Sequence, residues 1–475
     1  MKQTSWLAFS IDRQLSTPVF EQICQAIRKQ AASGDLEEGT RLPPTRVFAT
    51  ELGVSRSTVV TAYEQLVAEG YLQSVQGSGY TACSIGVVEL NEPIQPPIMP
   101  APETKPATAR PFKAGQPDMR LFPHKQWAKA VSRVCRTNPE NMLLGATVQG
   151  NAALRQAVAD HVSEWRGIKA APHQIFITAG AGDALEICIK TLTRSGATIG
   201  LENPGYLPLH SFVKDLGLTP TYLNIGPQGA GLPGQNCKAK LVVLTPSHQY
   251  PLGGAMSPSR RLEFIQWAQA QSSWIIEDDY DSEFRYAGRP IPAMAGFDQL
   301  NRTIYVGSFS KIFSNSLRLG YLIVPEGLIE QFRATLARTG VKASYMPQQA
   351  LAEFIETGEF YRHLRRMRRI YGERRKFLLD RLTHDFAQFG SFDDRHAGMQ
   401  VVFHLNKGIS DKEVSQKAEA LGLVIQPLSR FANELSDLNG LLLGYCGFTE
   451  DELGVALQDL LRILEPLRNC SASLG

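Results

Sequence analysis

SFSKIFSNSLRLGY, residues 308–321, is the stretch that indicates the fold most directly. It continues an apolar, strand-like run and places Lys311 just after the strand, between the hydroxyl residues Ser308, Ser310 and Ser314, with Arg318 further on. An amine that can form an imine, hydroxyl donors and an arginine that suits a phosphate are the groups that a pyridoxal 5'-phosphate site requires. A lysine after a strand is also commonly a solvated surface residue, so the interpretation depends on the rest of the chain.

From residue 112 onward, strand-like and helix-like segments alternate. The sequence predicts apolar strands at Ile175–Thr178, Leu241–Thr245, Trp274–Ile276 and Thr303–Val306. Apolar, β-branched strands separated by helices predict an α/β fold with a mostly parallel sheet. Ligands of such sheets bind at the carboxyl ends of the strands, and the candidate residues fall at those ends.

Three of these strand ends carry candidate groups. Gly180 and Ala181 lie in a glycine-rich turn that opens a helix, a pattern that suits a phosphate. Asp278 follows the strand WII and could keep a pyridine nitrogen protonated, and Tyr280 could hydrogen-bond the phenolic oxygen of the ring. The acidic run at 277–281 is equally typical of a solvated loop or of a magnesium site when taken alone.

Further candidates lie in two other turns. Tyr206, in the turn ENPGY, could stack on the ring face or be a packing residue. His248 and Gln249, in TPSHQYPLGG, are weaker candidates to border the ring.

Residues 14–82 predict a different kind of unit. An i, i+4 apolar spacing predicts a helix from Val19 to Ala31, and Thr45–Glu51 predicts a second helix with Thr45 as its N-cap. A further helix opens at Ser55, and the run Val75–Thr81 predicts a tight β-hairpin. Two short helices joined by a glycine turn and followed by a hairpin predict a winged helix-turn-helix.

The start of the third helix concentrates Ser55, Arg56, Ser57 and Thr58, which can contact phosphates or base edges in a major groove. The alternative is that the hydroxyl groups only cap the helix. Residues 1–82 carry seven Lys and Arg against eight Asp and Glu, a net charge of about −1. DNA-binding domains are usually basic, so overall charge does not support this interpretation.

Length and composition bound the remaining possibilities. A chain of 475 residues with 43% hydrophobic and 20% charged residues is typical of a soluble protein of two or three domains. Its seven scattered cysteines show no metal-ligand spacing and predict reduced thiols in the cytoplasm, and no apolar run predicts a membrane span. Seven prolines in 87–111 predict an extended linker. We therefore expect a DNA-binding domain at 1–82, a linker at 83–111 and a ligand-binding domain at 112–475.

The segment LSTPVFEQICQAIRKQAASGDLEEGTRLPPTRVFATELGVSRSTVVTAYEQLVAEGYLQSVQGSGY resembles the GntR-type winged-helix domain. The resemblance implies that Arg46 and Arg56 contact double-stranded DNA, assisted by Ser57, Thr58 and the wing glycines Gly77 and Gly79. Arg41 is a weaker candidate.

The motifs FKAGQPDMRLFP, ENPGY, TPSHQYPLGG, EDDYDSEF and SFSK…LRLGY together resemble the MocR/GabR-type regulators, which fuse such a winged helix to a fold-type I aminotransferase-like domain with a smaller C-terminal α/β subdomain. The resemblance implies pyridoxal phosphate held as an imine on Lys311, with Asp278 at the ring nitrogen, Tyr280 at the phenolic oxygen, Tyr206 on the ring face and Arg318 at the phosphate. It also implies a head-to-tail homodimer.

The chain departs from this family pattern at two places. Asp183 stands where a glutamine is usual, close to the expected phosphate. The arginine that binds a substrate carboxylate is missing from 441–445, and Arg430 is the nearest candidate for the effector. The arginine-rich segment Tyr361–Lys376 also carries an apolar stripe, which favours a solvated amphipathic helix over a DNA-binding stripe.

Three functions fit these residues. The first is a transcriptional regulator that senses pyridoxal phosphate with or without an amine or amino acid ligand, and the second is a working aminotransferase with an attached DNA-binding domain. The third differs from the first only in the ligand: the effector is the vitamin from which the cofactor derives, and it controls the genes for its own synthesis.

Overall fold

The computed structural model describes residues 11–75, 77, 79–84, 110–142, 147–234, 236–433 and 437–472. The chain divides into two compact units, Met1–Lys105 and Pro106–Gly475. Most of the predicted linker, residues 85–109, lies outside the described residues. The domain boundaries at 82 and 111 therefore stay predictions.

The described part of the N-terminal unit contains three helices and a hairpin: α1 Val19–Ser33, α2 Thr45–Leu52, α3 Arg56–Ala68, β1 Leu72–Val75 and β2 Gly79–Ala82. The predicted helices and hairpin are confirmed, with small differences in their bounds: α1 and α2 end later than predicted, and the first strand of the hairpin begins at Leu72. Pro44, rather than Thr45, is the N-cap of α2, and Thr45 is its first helical residue. Apolar residues at helical spacing, such as Ile23, Ile27 and Val59, are buried in one core.

Strands β1 and β2 form the predicted wing. They pair antiparallel, with Val75 opposite Gly79. The backbone φ is +75° at Gly77 and +95° at Gly79, a region that glycine adopts without steric cost. The tip residues 76 and 78 lie outside the described residues.

The second unit is built on an eight-stranded sheet in the order β3-β10-β9-β8-β7-β4-β5-β6. Its strands are β3 Ile175–Thr178, β4 Thr198–Asn203, β5 Thr219–Gly226, β6 Gly229–Ala230, β7 Leu241–Leu244, β8 Trp274–Asp279, β9 Thr303–Ser308 and β10 Gly320–Ile323. The neighbours from β9 through β8, β7 and β4 to β5 are parallel, whereas β10 is antiparallel to both β3 and β9. The prediction of a mostly parallel sheet is confirmed.

Both faces of this sheet are buried. Successive residues of a strand enter different cores, since Ile175 and Ile177 lie in one cluster and Phe176 in another, as expected for a sheet with helices on both faces. The helices of the unit are α4 His124–Thr137, α5 Ala152–Arg166, α6 Ala181–Leu192, α7 Leu207–Asp215, α8 Pro258–Ala270, α9 Met294–Phe297, α10 Ile329–Thr339, α11 Met346–Glu356, α12 Glu359–Asp385, α13 Asp411–Ala420 and α14 Glu450–Ala472. None of the helices described is long and apolar enough to cross a membrane.

Helix α12 contains the arginine-rich segment. Its residues Leu364, Met367 and Tyr371 are buried, and Phe377 packs against the same core from a partly buried position. The prediction of an amphipathic helix is therefore confirmed.

A second, antiparallel sheet forms the smaller C-terminal part, in the order β11-β12-β14-β13. Its strands are β11 Gly390–Phe392, β12 Gln400–Leu405, β13 Gln426–Pro427 and β14 Gly440–Gly444. Phe112 forms a β-bridge to Gly444, and Gly444 pairs with Gln400. This contact fixes the segment that begins at residue 112 beside the start of β12.

Candidate functional site

Three strand ends meet at one edge of the large sheet. Strand β10 begins at Gly320, which pairs with Thr178 at the end of β3 and with Ser308 at the end of β9. Strand β8 runs parallel to β9, with Asp278 opposite Val306. The topology therefore brings together the turns that follow β3 and β9 and the acidic end of β8.

Lys311 lies in the turn segment between β9 and β10. Its Nζ donates a hydrogen bond to the backbone oxygen of Gly115 at 2.7 Å. A Cβ at position 115 would lie 2.9 Å from Nζ, so a side chain there would require the end of the lysine side chain to move. Burial lowers the pKa of the Lys311 amine. A lowered pKa increases the neutral fraction of the amine, which is the form that attacks an aldehyde.

Asp278 lines the same cavity as Lys311. Burial, followed by the negative charge of Asp279, raises the pKa of Asp278 to about 7. Its Oδ1 atom is fully buried, and none of the described residues makes a hydrogen bond to it. A buried carboxylate oxygen without a partner is costly, and a protonated ring nitrogen is a group that would satisfy it. The residue therefore fits the pyridine ring of pyridoxal phosphate.

The neighbouring acids have partners within the protein, so Asp278 differs from the rest of the run. Glu277 accepts hydrogen bonds from the backbone N–H groups of Met294 and Ala295, at 3.0 and 2.8 Å. Asp279 lies 2.8 Å from the guanidinium of Arg166. The sequence interpretation ended this strand at Ile276, but β8 continues to Asp279. Because strand side chains alternate between faces, Glu277 and Asp279 lie on one face and Asp278 on the other.

A cavity of about 230 Å³ joins these groups. Of the predicted cofactor residues it is lined by Lys311, Asp278, Tyr280, Tyr206, Ser308, Ser310 and Ala181. Its other lining residues were not assigned by sequence reasoning: Ala114, Gly115, Gly182, Leu185, Thr245, Tyr250, Asn315 and Gln400. Four of these lie in motifs quoted for the family resemblance, FKAGQPDMRLFP and TPSHQYPLGG, and the motifs were the signal available for them.

The two predicted tyrosines differ in their surroundings. The hydroxyl of Tyr280 lies 2.9 Å from Nδ1 of His248, and burial raises the pKa of Tyr280 well above its usual range. Tyr206 is 42% exposed and contacts Tyr250 edge to face, with the ring centroids 6.2 Å apart. Gln249, a weaker candidate, is buried and donates to the backbone oxygen of Pro204 at 2.9 Å.

Gly180 and Asp183 shape the turn at the start of α6. Gly180 is the N-cap residue, with a φ of +96°. The Asp183 carboxylate accepts a hydrogen bond from the backbone N–H of Ala179 at 2.8 Å and lies 3.5 Å from Nζ of Lys342. Its charge is therefore engaged by the turn itself and by a lysine, and among the described residues Asp183 does not line the cavity.

Arg318 and Arg430 are both exposed, and neither is among the described residues that line the cavity. Arg318 has a left-handed backbone, with a φ of +46°. Burial raises the pKa of Tyr250 to about 12 against the opposing charge of Arg430, so Arg430 lies near a lining residue. Their roles at a phosphate and at an effector stay predictions.

In the N-terminal unit, Ser55 is the N-cap of α3. Its Oγ accepts a hydrogen bond from the backbone N–H of Thr58 at 3.1 Å and lies 2.7 Å from the hydroxyls of Ser57 and Thr58. Ser55 therefore caps the helix, and whether it also contacts DNA stays a prediction. Arg56 is exposed, with its Nε 3.4 Å from the hydroxyl of Thr45, and Arg46 is also exposed. Contacts of all these residues with DNA stay predictions.

Comparisons with known proteins match a different family to each of the two units of the chain. The family of bacterial regulatory proteins called gntR matches residues 20–81, and aminotransferase class I and II matches residues 111–458. The α-aminoadipate aminotransferase LysN of Thermus thermophilus, solved with N-(5'-phosphopyridoxyl)-L-leucine, is similar with a TM-score of 0.68 and 26% identity, over 76% of this chain and 92% of LysN. The fold and site define a protein that joins a winged helix-turn-helix to a fold-type I aminotransferase-like domain.

Relatives match both parts together. The probable rhizopine catabolism regulatory protein MocR of Rhizobium meliloti is 35% identical over 453 residues, 92% of each chain. The pyridoxine biosynthesis transcriptional regulator PdxR of Corynebacterium glutamicum is 32% identical over 96% of this chain and 98% of PdxR. The chain belongs to the MocR-type family of gntR regulators, and it is a transcriptional regulator with an aminotransferase-like domain.

Proposed function

We propose that this regulator binds pyridoxal 5'-phosphate in the Lys311 cavity and that occupancy of the cavity, with or without an amine ligand, controls the binding of operator DNA. The observation that carries the proposal is the unpartnered, buried Oδ1 atom of Asp278 in the cavity that also holds Lys311. A carboxylate of this kind is matched to a cationic ring nitrogen, and a partly buried lysine is matched to an aldehyde.

The residues that line the cavity, together with Arg318 outside its described lining, have separate roles in this proposal. Lys311 is the attachment point, Asp278 holds a proton at the ring nitrogen, and Tyr280 donates to the phenolic oxygen. Tyr206 covers the ring face. The phosphate is held by the backbone N–H groups at the start of α6 and by Ser308, Ser310 and Arg318. When bound, the cofactor supplies an aldehyde carbon for the lysine and an electron-accepting ring.

The winged helix is the part of the protein that binds operator DNA in this proposal. We expect Arg46 and Arg56 to contact phosphates or base edges, with Ser57, Thr58 and the wing glycines Gly77 and Gly79 close to the DNA backbone. A head-to-tail homodimer would present two winged helices to two half-sites. Ligand binding changes DNA affinity only if the ligand has different affinities for the DNA-bound and free states of this dimer.

A working aminotransferase is the second candidate, because the set of Lys311, Asp278 and Tyr280 also suits transamination. One observation favours the sensor. Among the described residues that line the cavity, Lys311 is the only cation, and Arg430 is exposed outside it. An amino acid substrate would therefore lack a charged partner for its carboxylate within the cavity.

Absorbance spectroscopy with added cofactor tests the ligand. The wild type should gain a visible band, and Lys311→Ala should abolish it. Lys190→Ala is a matched control, because that lysine pairs with Glu186 at 2.7 Å within α6 and should leave the band unchanged. A colourless wild type contradicts the proposal.

Affinity for the DNA upstream of the protein's own gene, measured with and without cofactor and a panel of amines, tests the output. We expect at least one of these ligands to change the affinity by about fivefold or more. Rapid, multiple-turnover transamination of a common amino acid, with no effect of any ligand on DNA binding, would instead support the aminotransferase.

A further inference from the structure

A row of three polar groups, Asp281, His248 and Tyr280, extends from the protein interior to the cavity. His248 Nδ1 lies 2.9 Å from Oδ1 of Asp281 and 2.9 Å from the hydroxyl oxygen of Tyr280. Asp281 and His248 are buried, with 1% and 5% exposure, whereas Tyr280 lines the cavity. The row therefore connects a buried carboxylate to a hydroxyl at the proposed cofactor site.

The position of the proton on His248 follows from these contacts. Without a proton, the Nδ1 lone pair would face the Asp281 carboxylate at hydrogen-bond distance, which is repulsive. A proton on Nδ1 can instead be shared between the carboxylate and the oxygen of Tyr280. Asp281 therefore holds the imidazole in a form that carries a proton on Nδ1.

This arrangement determines the direction of the Tyr280 hydroxyl. Because the Tyr280 oxygen accepts from His248, its own O–H is released to donate elsewhere. Burial raises the pKa of Tyr280 well above its usual range, so the hydroxyl keeps its proton. The cavity that Tyr280 lines is where a ligand can accept that hydrogen bond.

The imidazole is held in place by glycines. A Cβ at Gly398 would lie 2.1 Å from Cε1 of His248, and a Cβ at Gly253 would lie 3.2 Å from its Nε2. Both glycines have positive φ, +85° and +79°. Larger residues at these positions would displace the ring, so the backbone and Asp281 together define its orientation.

Other charged groups surround His248 in two small neighbouring cavities, lined among others by Arg166, Arg285, Arg375, Asp393, Arg395 and His404. Arg375 and Arg395 pair with Asp394 and Asp393, and Arg166 pairs with Asp279. Three of these four guanidinium groups thus have carboxylate partners other than Asp281, and among the described residues Asp281 is paired with His248.

We infer that Asp281 and His248 are positioning residues that orient the Tyr280 hydroxyl as a hydrogen-bond donor to the phenolic oxygen of pyridoxal phosphate. The inference rests on the proposed function, since it assigns a partner to the hydroxyl only when that cofactor is bound. It concerns two residues that do not line the cavity themselves.

A double-mutant cycle in the full-length, cofactor-loaded protein tests it, with the pH midpoint of the visible band as the readout. The visible band of the bound cofactor changes when the cofactor loses a proton, and that loss leaves more negative charge on its phenolic oxygen. The Tyr280 hydroxyl stabilises this charge by donating a hydrogen bond. Tyr280→Phe should therefore raise the midpoint by about one unit, because a hydrogen bond to a charged oxygen changes an ionisation roughly tenfold.

Asp281→Asn has two effects in this cycle. Loss of its negative charge lowers the midpoint directly, and this effect is present in both the wild-type and the Tyr280→Phe background. Loss of hydroxyl orientation raises the midpoint in the wild-type background alone. We therefore expect the Asp281→Asn shift to be more positive, by about one unit, in the wild-type background than in Tyr280→Phe.

Equal shifts in both backgrounds would overturn the inference while leaving the proposed function intact. If Asp281→Asn does not fold, His248→Phe takes its place in the same cycle, because it removes the nitrogen and keeps a ring of similar shape. A wild type without any visible band would overturn the proposed function, and the inference with it.

Discussion

Asp278 and Arg56 are both predicted to bind a ligand, but their surroundings differ. The carboxylate of Asp278 has a buried oxygen without a described partner and a pKa raised to about 7. Arg56 is exposed at the start of α3, beside hydroxyl groups that already bond one another. The first residue is held in a costly state before any ligand arrives, whereas the second is a solvated cation.

This difference indicates how each site should respond to change. A buried, unpaired group lowers the stability of the free protein and regains that energy on binding. An exposed cation has little effect on stability, and its interaction with phosphate weakens as salt increases. Mutations in the cavity should therefore change stability and ligand affinity in opposite directions, and mutations on the helix should change affinity alone.

The largest effect is expected for Asp278→Asn. Cofactor affinity should fall at least about thirtyfold, because a charged hydrogen bond of roughly 2 kcal/mol is lost. The folded pKa lies above the usual carboxyl value, so the stability that Asp278 contributes when protonated is lost as pH rises through about 7. In cofactor-free protein the unfolding free energy of Asp278→Asn should be close to that of the wild type at about pH 4 and should exceed it by about 4 kcal/mol at pH 8, since each unit of pKa corresponds to about 1.4 kcal/mol. Denaturant unfolding at both pH values measures this.

Glu202→Gln is the matched control. Burial also raises the pKa of Glu202 to about 7, but Glu202 accepts a hydrogen bond from the backbone N–H of Thr245 at 3.1 Å and is not among the described lining residues. Like Asp278→Asn, the Glu202→Gln variant should lose less stability than the wild type as pH rises. Unlike Asp278→Asn, it should leave cofactor affinity nearly unchanged. If Asp278→Asn keeps full affinity, the assignment of Asp278 to the ring nitrogen is wrong.

The next effect is expected for Arg56→Ala, which should weaken DNA binding about tenfold and reduce the salt slope by about one. Unfolding free energy should change by less than about 0.5 kcal/mol, because the side chain is exposed. Arg28→Ala is the control. Arg28 pairs with Glu21 and Glu69, both at 2.6 Å, so its loss should cost about 1 kcal/mol of stability without a change in the salt slope.

The sequence was sufficient for the strand ends and for the residues next to them in the chain. Lys311 lies a few residues after the end of β9 at Ser308, and Gly180 lies just after the end of β3 at Thr178, so an apolar run followed by a change of residue type located both. The end of β8 was placed too early because Glu277 and Asp279 are charged, and charged residues are unusual in a buried strand. They are accommodated through distant partners, the N–H groups of Met294 and Ala295 and the guanidinium of Arg166.

Residues brought to the cavity from distant parts of the chain were not predictable in this way. Gly115 reaches Lys311, and Gln400 reaches the same cavity, because the segment at Phe112 bridges to Gly444, which pairs with Gln400. No local periodicity carries that information, since the contacts join positions far apart in the sequence. The family motif includes Gly115, but its contact with Lys311, and the place of Gln400 in the cavity, could be identified only from the tertiary structure.

The smallest effect is expected for Ser55→Ala, which tests whether the start of α3 acts on stability or on DNA. Loss of the N-cap hydrogen bond to Thr58 should cost about 1 kcal/mol of unfolding free energy. DNA affinity, measured well below the unfolding temperature, should change less than about threefold, because the Ser55 hydroxyl is already engaged within the helix end. Ser57→Ala should have less effect on stability, since Ser57 is not the cap. A loss of affinity for Ser55→Ala as large as that for Arg56→Ala would mean that the capping hydroxyl also contacts DNA.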